Sequence, residues 1–89
     1  MQSIYHKLLL MVTKSFPEHQ IKRLEHLSIF LKELRLNEGL TQKELCEQLN
    51  LNRNTVIRAE NGGNLTLMTI FGLADALDIS PKELFADIE

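Results

Sequence analysis

The sequence predicts an all-α fold, and three observations lead to that prediction. Apolar residues recur at steps of three and four along most of the 89 residues, which is the period of one face of an α-helix. Two Ser/Thr-x-x-Glu motifs, beginning at Thr41 and Ser80, have the spacing of a capping box at a helix start. No stretch alternates apolar and polar residues as a half-buried strand does. We therefore expect helices throughout one domain.

The first predicted helix covers residues 3–15 and carries an apolar stripe. Its apolar residues include Ile4, Tyr5, Leu8, Leu9, Met11 and Val12. Phe16-Pro17 interrupts the pattern, because proline suits the first turn of a new helix better than a helix interior. We expect this N-terminal extension of residues 1–20 either to cover the core of a main domain at residues 21–89 or to contribute to a dimer contact.

The next helix is expected to run from about Pro17 to Gly39, since glycine suits a helix C-terminus. Its apolar stripe consists of Ile21, Leu24, Leu27, Leu31 and Leu34. Thr41, Asn52, Thr66 and Ser80 are placed to cap four further helices, because Ser, Thr and Asn side chains accept bonds from N–H groups of a first helical turn. The turn Asn61-Gly62-Gly63 is expected to end the helix that begins after Asn52.

Residues 42–61 read as a helix, a turn of three or four residues and a second helix. Leu45, Leu49, Leu51, Val56 and Ala59 are expected to form a small core between the two helices. Cys46 is small and falls where the helices would cross closest. Asn50 lies in the turn, and asparagine tolerates the left-handed backbone that a tight turn requires.

The second of these helices is predicted to have two different faces. At about 100° per residue, Arg53, Asn54, Ile57, Arg58 and Asn61 fall within an arc of about 140°. Arginine can donate two bonds to guanine O6 and N7, asparagine can pair with adenine N6 and N7, and an apolar side chain can contact a thymine methyl. This face therefore predicts contact with base edges in a DNA major groove.

Residues 41–62, TQKELCEQLNLNRNTVIRAENG, resemble the helix-turn-helix of the phage-repressor-like (Cro/Xre-type) DNA-binding family. The resemblance extends from about Leu24 to Phe85. It implies a five-helix, lambda-repressor-like domain, here with an additional N-terminal helix. It also implies a sequence-specific transcriptional regulator that binds a palindromic double-stranded DNA operator as a homodimer. The sequence departs from the family in three ways. Asn50 replaces the usual turn glycine, Cys46 replaces the usual alanine, and Asn52 and Ile57 stand where serine or threonine is common.

The resemblance further implies the residues of the DNA-binding site. Base contacts would come from Asn52, Arg53, Asn54, Ile57 and Arg58. Contacts with the DNA backbone would come from Gln42, Lys43 and Asn61. Arg35 and Glu60 would form a structural ion pair between the first and third helices of the domain.

Composition sets further expectations. The formal net charge is −2, but residues 65–89 hold five acidic residues and one basic residue, a net charge of −4, which leaves room for a positive face elsewhere. One cysteine excludes an internal disulfide and fits a reducing cytoplasm. The three histidines lack zinc-site spacing, and no phosphate loop or paired-carboxylate motif is present. We therefore expect no metal, no cofactor and no enzymatic activity.

The longest apolar run, residues 8–12, is far shorter than the roughly 20 residues of a membrane span.

A second interpretation belongs to a different functional class. The chain could be an antitoxin-type module that neutralises a partner protein and binds DNA secondarily. Residues 1–20 would then be the arm that binds the toxin.

Overall fold

The computed structural model describes residues 17–88, and this part of the chain forms five α-helices and no strand. The helices are α1 (Glu18–Asn37), α2 (Gln42–Leu49), α3 (Arg53–Glu60), α4 (Leu67–Ala76) and α5 (Pro81–Leu84). The predicted all-α, five-helix domain is thereby confirmed. The helix predicted over residues 3–15 lies outside the described residues, and the division between residues 1–20 and 21–89 stays a prediction. Within residues 17–88, no helix combines the length and apolar character that crossing a bilayer requires.

The short helices begin where side chains cap their first N–H groups. At α2, Glu44 N donates to Thr41 Oγ1 and Thr41 N donates to Glu44 Oε1, each at 3.0 Å, so both halves of the predicted capping box form. Thr66 caps α4 by accepting from the N–H of Thr69. At α5 the structure shows only one half of the box that the sequence predicts, in which Glu83 N donates to Ser80 Oγ at 3.4 Å.

The turn between α2 and α3 depends on a left-handed residue. Asn50 has φ 53° and ψ 40°, a conformation that asparagine adopts more readily than most residues. Its N–H and that of Leu51 donate to the last carbonyls of α2. Asp78 adopts the same left-handed conformation after α4, with φ 55°. These two residues reverse the chain sharply enough for consecutive helices to cross.

All five helices surround one small core. Its buried members are Leu27, Leu31, Leu45, Cys46, Val56, Ala59, Ile70, Leu73, Ala74, Leu77 and Leu84. Leu49 is half-buried and packs against this core, and Leu51 in the following turn is half-buried. Val56 and Ala59 therefore fix the inner face of α3, and the opposite face of that helix turns towards solvent.

Candidate nucleic-acid interface

The exposed face of α3 presents three polar side chains with planar ends. Val56 and Ala59 are 1% and 2% exposed, whereas Arg53, Asn54 and Arg58 are exposed. Guanidinium and amide groups carry donors, or donors and acceptors, in fixed planar arrangements. The helix therefore holds a hydrogen-bonding surface on a rigid, buried base.

Asn52 is exposed just before the same helix, whereas Ile57 is less open and lies within it. Asn52 is the N-cap of α3, and its Oδ1 accepts from the N–H of Asn54 at 2.8 Å. Because the carbonyl end of this amide is thus engaged, its NH₂ end is the part best placed to donate to a ligand. Ile57 is half-buried, so only part of this side chain is available for an apolar contact.

Arg58 has a structural contact as well as an exposed position. Its Nη2 donates to the carbonyl oxygen of Asn64 at 3.1 Å, which ties the α3–α4 loop back onto the helix. A guanidinium has five N–H donors, so this bond leaves donors for other partners. The N–H of Gly63 donates to the Arg58 carbonyl at 2.9 Å, and a Cβ added at Gly63 would lie 2.9 Å from that same oxygen. The close approach of loop and helix therefore requires glycine at position 63.

The start of α2 lies beside the start of α3. Thr41, Gln42, Lys43 and Arg53 together line an open cavity of about 540 Å³, with the α1–α2 turn on its other side. Lys43 is exposed and Gln42 is half-buried. The first N–H groups of a helix attract anions, so this cavity combines a helix N-terminus with the exposed cationic side chains of Lys43 and Arg53. Asn61 is exposed at the other end of α3 as its C-cap.

A buried ion pair joins α1 to α3. Arg35 Nε donates to Glu60 Oε2 at 2.6 Å, and Arg35 Nη2 donates to Glu60 Oε1 at 3.0 Å. The two side chains are 8% and 4% exposed. Arg35 Nη1 also donates to the Leu40 carbonyl at 2.7 Å. Two parallel bonds between a guanidinium and a carboxylate fix both distance and orientation, so the pair holds the C-terminal turn of α3 against α1.

Gln42 belongs to this network too. Its Nε2 donates to Glu60 Oε1 at 3.2 Å. The amide NH₂ has two hydrogens, so one remains for a further acceptor. Gln42 is therefore held in place by the same carboxylate that holds α3.

Sequence reasoning did not identify Ser28 as a positioning residue. It is 4% exposed in the middle of α1, and its hydroxyl accepts from the N–H of Gly62 at 2.8 Å. Gly62 follows α3 directly and has φ 84°. The only sequence signal was a serine beside the apolar positions of α1, adjacent to Leu27. Ser28 and Arg35 thus hold the end of α3 at two points along α1.

Other kinds of site receive no support from the described residues. Within residues 17–88, no three His, Cys, Asp or Glu side chains come together as a metal site would require. Every buried side-chain nitrogen or oxygen in this part of the chain has a hydrogen-bond partner. Cys46 is buried, and its Sγ lies 3.0 Å from the carbonyl of Lys43. These observations leave the α2–α3 surface as the candidate site.

Comparison with known proteins gives concordant matches. The family HTH_3, described as Helix-turn-helix, matches residues 31–84. The restriction-modification controller protein C.AhdI from Aeromonas hydrophila is similar at 43% identity, with a TM-score of 0.67, covering 70% of this chain and 96% of that one. No match was found among curated proteins.

Two further solved structures are similar at lower identity. The wild-type restriction-modification controller protein C.Esp1396I shares 30% identity and has a TM-score of 0.66, covering 74% of this chain and 87% of that one. A hypothetical transcription factor, NHTF from Neisseria, also shares 30% identity, with a TM-score of 0.67. It covers 76% of this chain and 78% of its own.

Proposed function

The chain belongs to the helix-turn-helix family HTH_3, of Cro/Xre type, and is a DNA-binding transcriptional regulator; from that premise we propose that it reads a specific operator with the exposed face of α3. The observation that carries the proposal is the position of Arg53. This side chain extends from the outer face of α3 and lines the same cavity as Gln42 and Lys43. When a helix lies in the major groove, such neighbouring groups meet base edges and the flanking phosphates at the same time.

Within this proposal the side chains divide into two roles. Asn52, Arg53, Asn54, Ile57 and Arg58 would contact base edges, which carry the sequence information. Gln42, Lys43 and Asn61 would contact the DNA backbone and set the position of the helix. The bond from Gln42 to Glu60 supports the second role, because a restrained amide loses less conformational entropy on meeting a phosphate than a mobile one does.

A homodimer is the assembly that fits this site. One domain offers only a few base contacts, whereas specific sites usually involve a larger interface. The N-terminal part of α4 exposes an apolar face made of Leu67, Met68 and Phe71, which are 64%, 79% and 44% exposed. We name these three residues the α4 apolar face. Pairing of this face about a two-fold axis would present two copies of α3 to half-sites about 34 Å apart.

The similarity to two restriction-modification controller proteins suggests the genes involved. We propose that this chain controls the expression of a restriction-modification system, with an operator upstream of its own gene. The antitoxin-type interpretation is not better supported by these relatives.

Binding to DNA from upstream of its own gene tests the proposal. The unaltered protein should bind this fragment more tightly than a scrambled fragment of equal length and composition, at one stated salt concentration. Arg53→Ala should reduce that preference. Lys82→Ala removes one positive charge from an exposed position on α5 and should leave the preference intact. Equal binding of both fragments by the unaltered protein would refute the proposed specificity.

A further inference from the structure

An apolar groove lies between α1 and the C-terminal turn, away from the α2–α3 surface. It has a volume of about 350 Å³, and its apolar wall consists of Ile21, Leu24, Leu27, Phe85 and Ile88. Ile21 and Leu27 are each 5% exposed, but Phe85 is 41% exposed. Neither the proposed base contacts nor the proposed phosphate contacts use any of these residues. The groove therefore has no role in the function derived so far.

We propose that residues 1–16 of the same chain dock into this groove through their apolar stripe. The stripe, Ile4, Leu8 and Met11 with Tyr5 and Val12 beside it, has the spacing of one helix face. An amphipathic helix laid into an apolar groove is a recurring mode of peptide recognition. Sixteen residues in a helix span about 24 Å, which exceeds the roughly 10 Å of α1 between Ile21 and Leu27.

The point at which the chain enters α1 favours this occupant. Pro17 is the N-cap of α1, with φ −60° and ψ 149°, so it lies just before the helix and not within its first turn as the sequence predicted. Its extended backbone breaks the path from the preceding residues into the α1 axis, and proline also disfavours helical geometry at Phe16. Residues 1–16 therefore need not continue the axis of α1 and can turn back along α1.

Proximity favours docking within one chain. Gln20 and Ile21 line the groove and lie about one helical turn from Pro17. A tethered segment experiences an effective concentration on the order of millimolar at such a site. Docking within one chain therefore carries a smaller entropic cost than capture of a separate partner would.

Hydrogen exchange of the full-length protein tests the docking. Amides of residues 1–16 should exchange more slowly than the same sequence in an unstructured peptide. Phe85→Glu places a charge in the groove and should accelerate this exchange by roughly tenfold or more. The matched control is Phe71→Glu, since Phe71 is 44% exposed on the α4 apolar face. This control should leave the exchange of residues 1–16 unchanged.

Three results would overturn the proposal. The first is unprotected exchange of residues 1–16 in the unaltered protein, and the second is no acceleration of that exchange in Phe85→Glu. The third is equal acceleration in Phe71→Glu, which would assign the protection to contact between subunits.

Exchange of the core helices shows whether Phe85→Glu remains folded. If it does not, the double variant Leu8→Ser with Met11→Ser decides: it should shift the methyl NMR signals of Leu24 and Ile88. His6→Ser, on the opposite face of the predicted helix, should not. Unshifted methyl signals in the double variant would refute the docking.

Discussion

Glu60 accepts two bonds from Arg35 and one from Gln42, and its side chain is 4% exposed. One carboxylate therefore links the long helix α1, the first residue of α2 and the last residue of α3. The same geometry that stabilises the domain also sets the positions of α2 and α3, the two helices that are proposed to contact DNA.

Loss of Glu60 should destabilise the domain strongly. Glu60→Ala leaves the Arg35 guanidinium buried without a countercharge, and breaking a buried pair in this way costs about 3–5 kcal/mol. The double variant Arg35→Met with Glu60→Leu should be milder, because no buried charge is left unpaired. Urea denaturation of the three proteins measures this order. Equal stability of Glu60→Ala and the unaltered protein would show that the pair contributes nothing.

Base discrimination should depend on the outer face of α3. Arg53→Ala and Asn54→Ala should each weaken operator binding by about 1–3 kcal/mol and relax the preference at one base pair. Binding titrations against a set of single-base operator variants measure both effects. Arg58→Ala should show a similar loss together with lower thermal stability, since Arg58 also bonds the Asn64 carbonyl. If the first two variants discriminate as fully as the unaltered protein, base recognition lies elsewhere.

Gln42 should affect affinity without affecting specificity. Phosphate contacts position a protein on DNA but carry no direct sequence information. Gln42→Ala should therefore weaken binding to the operator and to its single-base variants by the same factor. Gln42→Glu should weaken binding further, because it adds a charge that repels both phosphate and Glu60. A loss confined to one operator variant would contradict the backbone role.

The capping box of α2 should make stability depend on pH. The backbone N–H and then the side chain of Thr41 lower the pKa of Glu44 below its ordinary value of 4.5. A lowered folded-state pKa contributes stability that is fully present above 4.5 and is lost as pH falls through the lower value.

Denaturation midpoints across this pH range test the effect. The stability difference between the unaltered protein and Glu44→Gln should shrink as the pH falls below 4.5. Glu47→Gln replaces an exposed glutamate of the same helix and serves as the matched control. A Glu44→Gln difference that does not change with pH would argue against the ionised cap.

Assembly should depend on the α4 apolar face. Met68→Glu with Phe71→Glu places charges on this face and should convert the proposed dimer into a folded monomer that binds one half-site weakly. Ile29 is 61% exposed on α1, so Ile29→Glu is a matched control that should remain dimeric. Sedimentation equilibrium with and without palindromic DNA measures the mass. A monomer in the unaltered protein, even with that DNA, would reject the dimer.

The features that the sequence predicted well are those encoded locally. The caps at Thr41, Asn52 and Thr66, and the left-handed turn at Asn50, depend on residues within a few positions of one another. The bonds between Ser28 and Gly62 and between Gln42 and Glu60 join residues 34 and 18 positions apart. They follow from how helices pack, and no spacing rule along the chain contains that information. For the same reason, the expectation that Gln42 contacts phosphate gave no sign of its hydrogen bond to Glu60.

The cluster of Arg35, Gln42 and Glu60 also constrains how this protein can diverge from its relatives. Replacing Glu60 alone would leave Arg35 without its carboxylate and would release Gln42 in the same step. A lineage that changes its operator by altering α3 is therefore expected to keep Arg35 and Glu60 or to replace them together. New binding specificities are expected to arise at Arg53 and Asn54, where the exposed side chains can change without disturbing the frame that holds them.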